Sequence, residues 1–433
     1  VFNRNNSTTP EHIRRNPDLQ SNHLTRAVRE QEIFPNRSSL AGQSSYLPVL
    51  NVSFYPQERG PYNLDVTGLA ADGSLANPNK RWGGMMRKLE TTDFETANIE
   101  YIEFWLMDPF VNDTLGTNSG GDLYFNLGDI SEDILKDGKK FFENGMPIDG
   151  DTTQTDATKW GRVPRKQSMV LAFDNDVNAR QYQDVGFNGL RTEDEFQFPT
   201  YKDYVNQIKA TLSPSVIEDM SKDPFSPIND PAGDNFHHYR GSDYDAEEKS
   251  ILDRYKRFNS PEGNSPASET TTETYSTSAT TVPDVEDINQ DNTLNEYEKY
   301  YQYRVSLRRN ELEVGKNYIT DKVVANVELE NGDREDVTWY QFKIPVREYE
   351  RRVGTIRDFK SIRFMRMFMH NFSEATFLRF GTLELVRGEW RTYTKDLYDL
   401  SNPPTNTGSI NVSSVSIEEN NKKKPVNYVL PPG

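Results

Sequence analysis

Residues 301–308 read Tyr-Gln-Tyr-Arg-Val-Ser-Leu-Arg, an unbroken alternation. Tyr301, Tyr303, Val305 and Leu307 fall on one side of an extended chain, while Gln302, Arg304, Ser306 and Arg308 fall on the other. The pattern recurs in Val323, Ala325, Val327 and Leu329, and Asn331-Gly332-Asp333 supplies a turn. Residues 341–346, 361–369 and 376–386 read as three further strands, and Trp390 beyond them is placed to close the end of a core. Five strands without a long intervening helix predict an antiparallel, jelly-roll-like β-sandwich over residues 299–400.

Working toward the N-terminus, the first half repeats the theme less cleanly. Residues 51–55 form a short apolar run ended by Pro56, and residues 60–63 and 77–84 read as turns. Residues 99–107 form a strong strand with both faces covered, Ile102, Phe104 and Leu106 on one and Tyr101, Trp105 and Met107 on the other. Residues 123–127 and 168–174 read as two more strands, with a short helix over 130–136 capped by Asp129. A helix is expected over 246–258, where Ile251, Leu252, Tyr255 and Phe258 make one stripe, and another is expected to start at Ser21. Residues 101–107 and 362–369 echo each other, so the fold class expected is mainly β, with two antiparallel jelly-roll-like sandwich units.

The expected organisation is a polar extended segment at 1–50 that wraps a neighbouring surface and a first β-rich domain at 51–258, helical and irregular toward its end. A flexible Ser/Thr-rich linker follows at 259–286, then an acidic loop at 287–298, the second sandwich at 299–400 and an extended tail at 401–433. The linker assignment rests on residues 260–283, where 12 of 24 positions are Ser or Thr. Val1-Phe2-Asn3-Arg4 and the closing Pro431-Pro432-Gly433 carry no start or targeting layout. The expectation is an interior piece of a longer polypeptide, with a processed mature protein as the alternative.

Composition narrows the function classes. The 433 residues hold 67 acidic and 50 basic side chains, for a net charge of −17, and no cysteine. The acidic balance argues against a nucleic-acid binder, and the missing thiols exclude disulfides, a cysteine nucleophile and thiolate metal ligation. No apolar run approaches the roughly 20 residues of a membrane helix.

The sharpest local motif is Asp287-Ile288-Asn289-Gln290-Asp291-Asn292-Thr293-Leu294-Asn295-Glu296-Tyr297-Glu298. Asp287, Asn289, Asp291, Thr293, Asn295 and Glu298 occupy the oxygen-donating positions of an EF-hand-like calcium loop, and Leu294 is its apolar anchor. Asn292 replaces the usual glycine at the sixth position, where a left-handed backbone is required. The expected cofactor is a structural calcium ion, against the alternative of a solvated acidic turn. Other chemistry has thin support. Glu100, Glu103, Asp108, Glu384 and Glu389 offer carboxylate pairs of the glycosidase kind, but such pairs are common in so acidic a chain. His12, His23, His237, His238 and His370 show no metal-binding spacing, and no nucleophile elbow or phosphate loop is present, so no enzyme is expected. Lys422-Lys423-Lys424 reads as a solvated run. Trp82, Trp105, Trp160, Trp339 and Trp390 keep open an alternative, a jelly-roll carbohydrate-binding surface module.

Four passages carry a resemblance: NVSFYPQERGPYN at 51–63, YIEFWLMDPFVNDTLGTNSGGDLYFNLGDISED at 101–133, DVEDINQDNTLNEYEKYY at 284–301, and the run 359–390. In these the chain resembles the SprA/Sov family of gliding-motility cell-surface proteins of the Bacteroidota. The resemblance implies the outer-membrane translocon of the type 9 secretion system, in which folded cargo leaves through a very wide, laterally opening β-barrel. It also implies partners: the rest of the barrel, a plug, lipoprotein-like or prolyl-isomerase-like accessories, and the exported cargo. Gliding motility would depend on that export. No catalytic residue carries over. Beside it, the residues read as soluble sandwich domains inserted in or capping the barrel, at the outer membrane or cell surface, because a wall would show ten-residue alternating strands joined by short turns.

Overall fold

A computed structural model describes residues 9–37, 46–167, 169–273 and 276–388. Twelve strands are found among them. They are β1 (Leu50–Phe54), β2 (Trp82–Lys88), β3 (Ile99–Met107), β4 (Gly121–Asp129), β5 (Thr155–Ala157) and β6 (Arg162–Pro164), then β7 (Lys299–Leu307), β8 (Ile319–Glu328), β9 (Arg334–Pro345), β10 (Arg351–Val353), β11 (Phe364–His370) and β12 (Thr376–Arg387). Ten of these form two antiparallel five-stranded sheets, ordered β1-β12-β3-β9-β8 and β10-β7-β4-β11-β2. The protein is therefore mainly β and antiparallel, as the alternation predicts.

The expectation of two sandwich units is corrected. Each sheet takes strands from both halves of the chain: β3 lies between β9 and β12, and β4 lies between β7 and β11. The facing sides of the two sheets share one core. Phe104 of β3 stacks on Phe342 of β9 at 4.7 Å and reaches Phe125 of β4, in the opposite sheet, at 5.5 Å. Ile102, Phe104, Leu106, Leu123, Phe125, Leu127, Tyr303 and Val305 are all fully buried in it. The next strand, β4, faces β3 from the opposite sheet, so both edges of β3 are paired by strands from far along the chain, β9 and β12.

The reading of β3 as covered on both faces holds. Its second face, Trp105 and Met107, packs with Val337 and Trp339 of β9 beneath Val28, Ile33 and Phe34 from the N-terminal segment. The surface that residues 9–37 wrap is thus the chain's own sheet. Two short helices begin the segment, α1 (Glu11–Arg14) and α2 (Pro17–Ser21). The helix expected to start at Ser21 instead ends there: Asn16 is the cap, accepting from the N–H groups of Asp18 and Leu19, with Pro17 at the first position. At the contact, a Cβ on Gly381 of β12 would lie 2.3 Å from Ile33 Cδ1. Any side chain here would force the Ile33 side chain to shift, and the strand register shifts at the same point.

Between β4 and β7 the chain leaves the sandwich for residues 130–298, which carry β5, β6 and the remaining helices, α3 (Val177–Gln183), α4 (Thr192–Glu195), α5 (Pro199–Thr211), α6 (Pro214–Met220), α7 (Ser242–Ala246) and α8 (Ile251–Arg254). Helix α5 buries Tyr201, Tyr204, Val205 and Ile208, a spacing that makes one helical stripe. Leu64, Val66 and Leu69, from the β1–β2 connection, pack with it. Three local expectations fail here. Residues 246–258 are not one helix: Glu248 adopts φ 52°, and Ser250 caps a separate single turn. Residues 130–136 form no helix, and Lys136 has φ 51°. The run 169–174 is not a strand, because Leu171 turns to φ 50° and leaves Val170 exposed; Ser168 lies outside the described residues. The segment read as turns before residue 84 also hides β2, whose glycines Gly83 and Gly84 pair with Met369 and Phe368. The Ser/Thr-rich stretch belongs to this excursion and does not divide two sandwiches. Its Ser265 N–H donates to Asp184, and the Glu286 carboxylate accepts from the N–H groups of Ile134 and Phe141. Trp390, Glu389, Lys422-Lys423-Lys424 and the tail 401–433 lie outside the described residues.

Candidate functional site

The acidic loop 287–298 closes the excursion and delivers the chain to β7. Its first half folds on itself. Asp287, almost fully buried, accepts the N–H groups of Asp291 (3.0 Å) and Asn292 (2.8 Å). Asn289 Oδ1 accepts from Asp291 N–H at 2.8 Å, and the Thr293 hydroxyl donates to Asp291 Oδ1 at 2.6 Å. Asn292 takes φ 68°, the left-handed backbone required of the sixth position.

The second half departs from a calcium loop. Glu298, the twelfth position, forms a two-pronged pair with Arg366 of β11 at 3.0 and 3.1 Å. The Asn295 amide donates to the Ile130 carbonyl at 2.7 Å, and Asp291 also pairs with Arg363. The physical reason is the exit: β7 begins at Lys299, so Glu298 leads into a strand instead of curling back on a helix. The structure therefore brings Asp287, Asn289, Asp291 and Thr293 together and leaves Asn295 and Glu298 turned to other partners. A carboxylate the sequence reading passed over, Glu132, sits beside the loop instead, accepting from the N–H groups of Asn289 and Asn295 at 3.2 Å each. Burial raises its pKa, and Asp287 and Asp291 add to the rise.

Other singled-out residues fall into structural roles. Trp339 and Trp105 are buried in the sandwich, Trp160 is half-buried with the Lys159 ammonium over its ring, and Trp82 is exposed at the edge strand β2. Glu103 is held by Gln341 and Lys343 across β9. His237 stacks on Tyr244 and pairs with Asp243, and His23 pairs with Glu335. A cleft of about 430 Å³ flanked by Tyr182, Arg191, Asp194 and Phe198 was not legible in the sequence. Nor was a cluster of buried carboxylates, Glu195, Asp230 and Asp234, because Glu195 lies far along the chain from the other two. Among the described residues no helix is long and apolar enough to cross a membrane.

Comparison with known families turns on residues 203–433. Over this range, just over half of the chain, it matches the SprA_N family, described as a motility related/secretion protein. The chain belongs to this family. Within the SprA_N match lie β7 to β12, the acidic loop and helices α6 to α8, while β1 to β6 precede it, so the sandwich of this family member is completed by strands outside the matched range. No curated protein matches the chain.

Proposed function

We propose that this chain is a folded, non-wall portion of an outer-membrane translocon that exports folded cargo in type 9 secretion, and that gliding motility depends on it through that export. Membership of a motility and secretion family supports the reading. The observation that carries the placement is the filled core: the ten sandwich strands face one another across side chains buried to near zero exposure, which leaves no lumen between the sheets. A wall strand would instead present one face to lipid and one to an aqueous channel. The domain would sit at the cell envelope as an insert or cap, beside the barrel, its plug and accessory proteins. Depleting the full-length protein in its host should stop export of proteins bearing C-terminal sorting domains and arrest gliding; normal export would overturn the reading. A glycan array probed with the chain tests the carbohydrate-binding alternative, and the expected result is no signal.

A structural calcium ion in the 287–298 loop is part of this proposal. Asp287, Asn289 and Asp291 would hold it, with Thr293, Asn295 and Glu298 as the remaining expected positions. Calcium should raise the melting temperature through this loop, and Asp287→Ala should remove that contribution; an unchanged contribution in the variant would refute the loop site.

A further inference from the structure

Within the excursion, three carboxylates from separate stretches meet inside the protein. Glu195 ends helix α4, and Asp230 and Asp234 lie on the turn that follows α6, in the sequence Asp230-Pro231-Ala232-Gly233-Asp234. All three are fully buried, and one oxygen from each lies within 4.8 Å of the others. Three like charges this close in a low-dielectric interior repel strongly unless a cation or protons join them. The nearby Arg59 is close enough to oppose part of the charge but spends its hydrogen bonds on the backbone carbonyls of Asp230 and Pro231, at 2.6 and 2.7 Å.

The oxygens are satisfied except for one, which is buried. Glu195 takes the Asn188 amide at 2.6 Å and the Ala232 N–H at 3.0 Å. Asp230 takes the N–H groups of Gly233 and Asn235 at 2.7 and 3.3 Å. Asp234 receives the Tyr62 hydroxyl on Oδ2 at 2.7 Å, but its buried Oδ1 has no hydrogen-bond partner. Backbone space is reserved for the same group: Gly186, at φ 67°, would place a Cβ 2.4 Å from Asp234 Oδ2. A buried, unpartnered oxygen on one of three mutually close carboxylates is the kind of donor set that a hard cation takes.

We infer that Glu195, Asp230 and Asp234 form a buried divalent-cation site, of the calcium class, that fastens the 230–235 turn to helix α4. The donors are all oxygen, with neither imidazole nor thiolate, which selects calcium or magnesium over zinc or copper. Three acidic groups matched to a double charge leave a small residual negative charge, which the neighbouring Arg59 offsets. Glu262, half-buried beside Glu195 and bonded to the Thr192 N–H at 2.9 Å, borders the site without completing it. The site is separate from the 287–298 loop and does not depend on the export role.

The test uses the 433-residue chain carrying Asp287→Ala, so that the acidic loop is silent. After stripping with chelator, added calcium should raise its melting temperature. Adding Asp234→Asn or Glu195→Gln should abolish that rise. In chelator alone the Asp234→Asn protein should melt no lower than its parent, because one repelling charge has gone. Terbium supplies a second readout: Tyr62 lies against Asp234, so bound terbium should show tyrosine-sensitised emission that Asp234→Asn removes. Absence of any calcium-dependent rise in the Asp287→Ala chain, or a rise that survives both carboxylate substitutions, would overturn the site.

Discussion

Replacing Arg379 should detach the N-terminal segment from the sandwich without dissolving the sandwich itself. Arg379 lies on β12 opposite Asn51 of β1 and is 1% exposed. Its guanidinium donates to Asn51 Oδ1 at 2.8 Å and to the carbonyls of Arg26, at 2.7 Å, and His23. Burial, with Arg26 close by, pulls its pKa down to about 9 against the opposing charge of Glu32, so the cation is held at a cost that these acceptors help to offset. In Arg379→Met, two buried carbonyls lose their donor, at about 1–3 kcal/mol each, while removal of the buried charge returns part of that. A net loss of about 2–4 kcal/mol is expected. It should appear as local opening, because Val28, Ile33 and Phe34 still anchor the segment. Amide hydrogen exchange should show faster exchange over residues 22–34 and little change in β3 and β4. Arg379→Lys should recover only part of the protection, since an ammonium cannot span the fork. Unchanged exchange over 22–34 in Arg379→Met would refute the clamp.

Three further outcomes follow from the packing and the buried acids. Gly381→Ala should cost about 1–3 kcal/mol by urea denaturation, with recovery on adding Ile33→Ala; a neutral Gly381→Ala would contradict the close approach. Phe104→Ala, at the meeting of Phe125, Phe342 and Phe380, should cost about 3–5 kcal/mol on the same assay, and a cost below that of a surface change would contradict the shared core. Asp184 is pushed up from 3.8 to about 6, mainly by burial, with the Ser265 N–H opposing and Asp284 adding to it. Its folded form thus holds a proton that the unfolded chain has released, so stability falls as pH rises from about 4 to about 6 and is level above that. Asp184→Asn should flatten the urea midpoint across this window, and an identical slope in both proteins would refute the assignment.

How much was legible depended on whether a signal was local. The strict alternation of Tyr301 to Leu307 and of Ile102 to Leu106 is imposed by the pleat, so those strands appear where expected. Partner choice is not local: nothing in residues 99–107 names β9 and β12 as neighbours, and two halves of similar pattern read as two units when they interleave into one. Glycine misled in the same way, since Gly83-Gly84 looks like a turn until Phe54 is seen to press against Gly83 and Phe368 against Gly84. In the acidic loop the spacing anticipated the left-handed Asn292 but not the capture of Glu298 by Arg366, a residue 68 positions away. The buried carboxylates left no motif, because Glu195 reaches Asp230 and Asp234 only through the packing of α4 on the turn after α6.

The account stands on strands from the two halves sharing one sandwich, and the absence of cysteine makes this directly measurable. Glu103 of β3 faces Lys343 of β9 in register, and neither is part of the core. With Glu103→Cys and Lys343→Cys introduced together, mild oxidation of the folded chain should form an intramolecular disulfide nearly quantitatively, since directly opposed antiparallel residues lie about 4.5–5.5 Å apart between Cα atoms, within disulfide reach. Free thiols persisting in the oxidised, folded double variant would contradict the interleaved sandwich and return the chain to two separate β units.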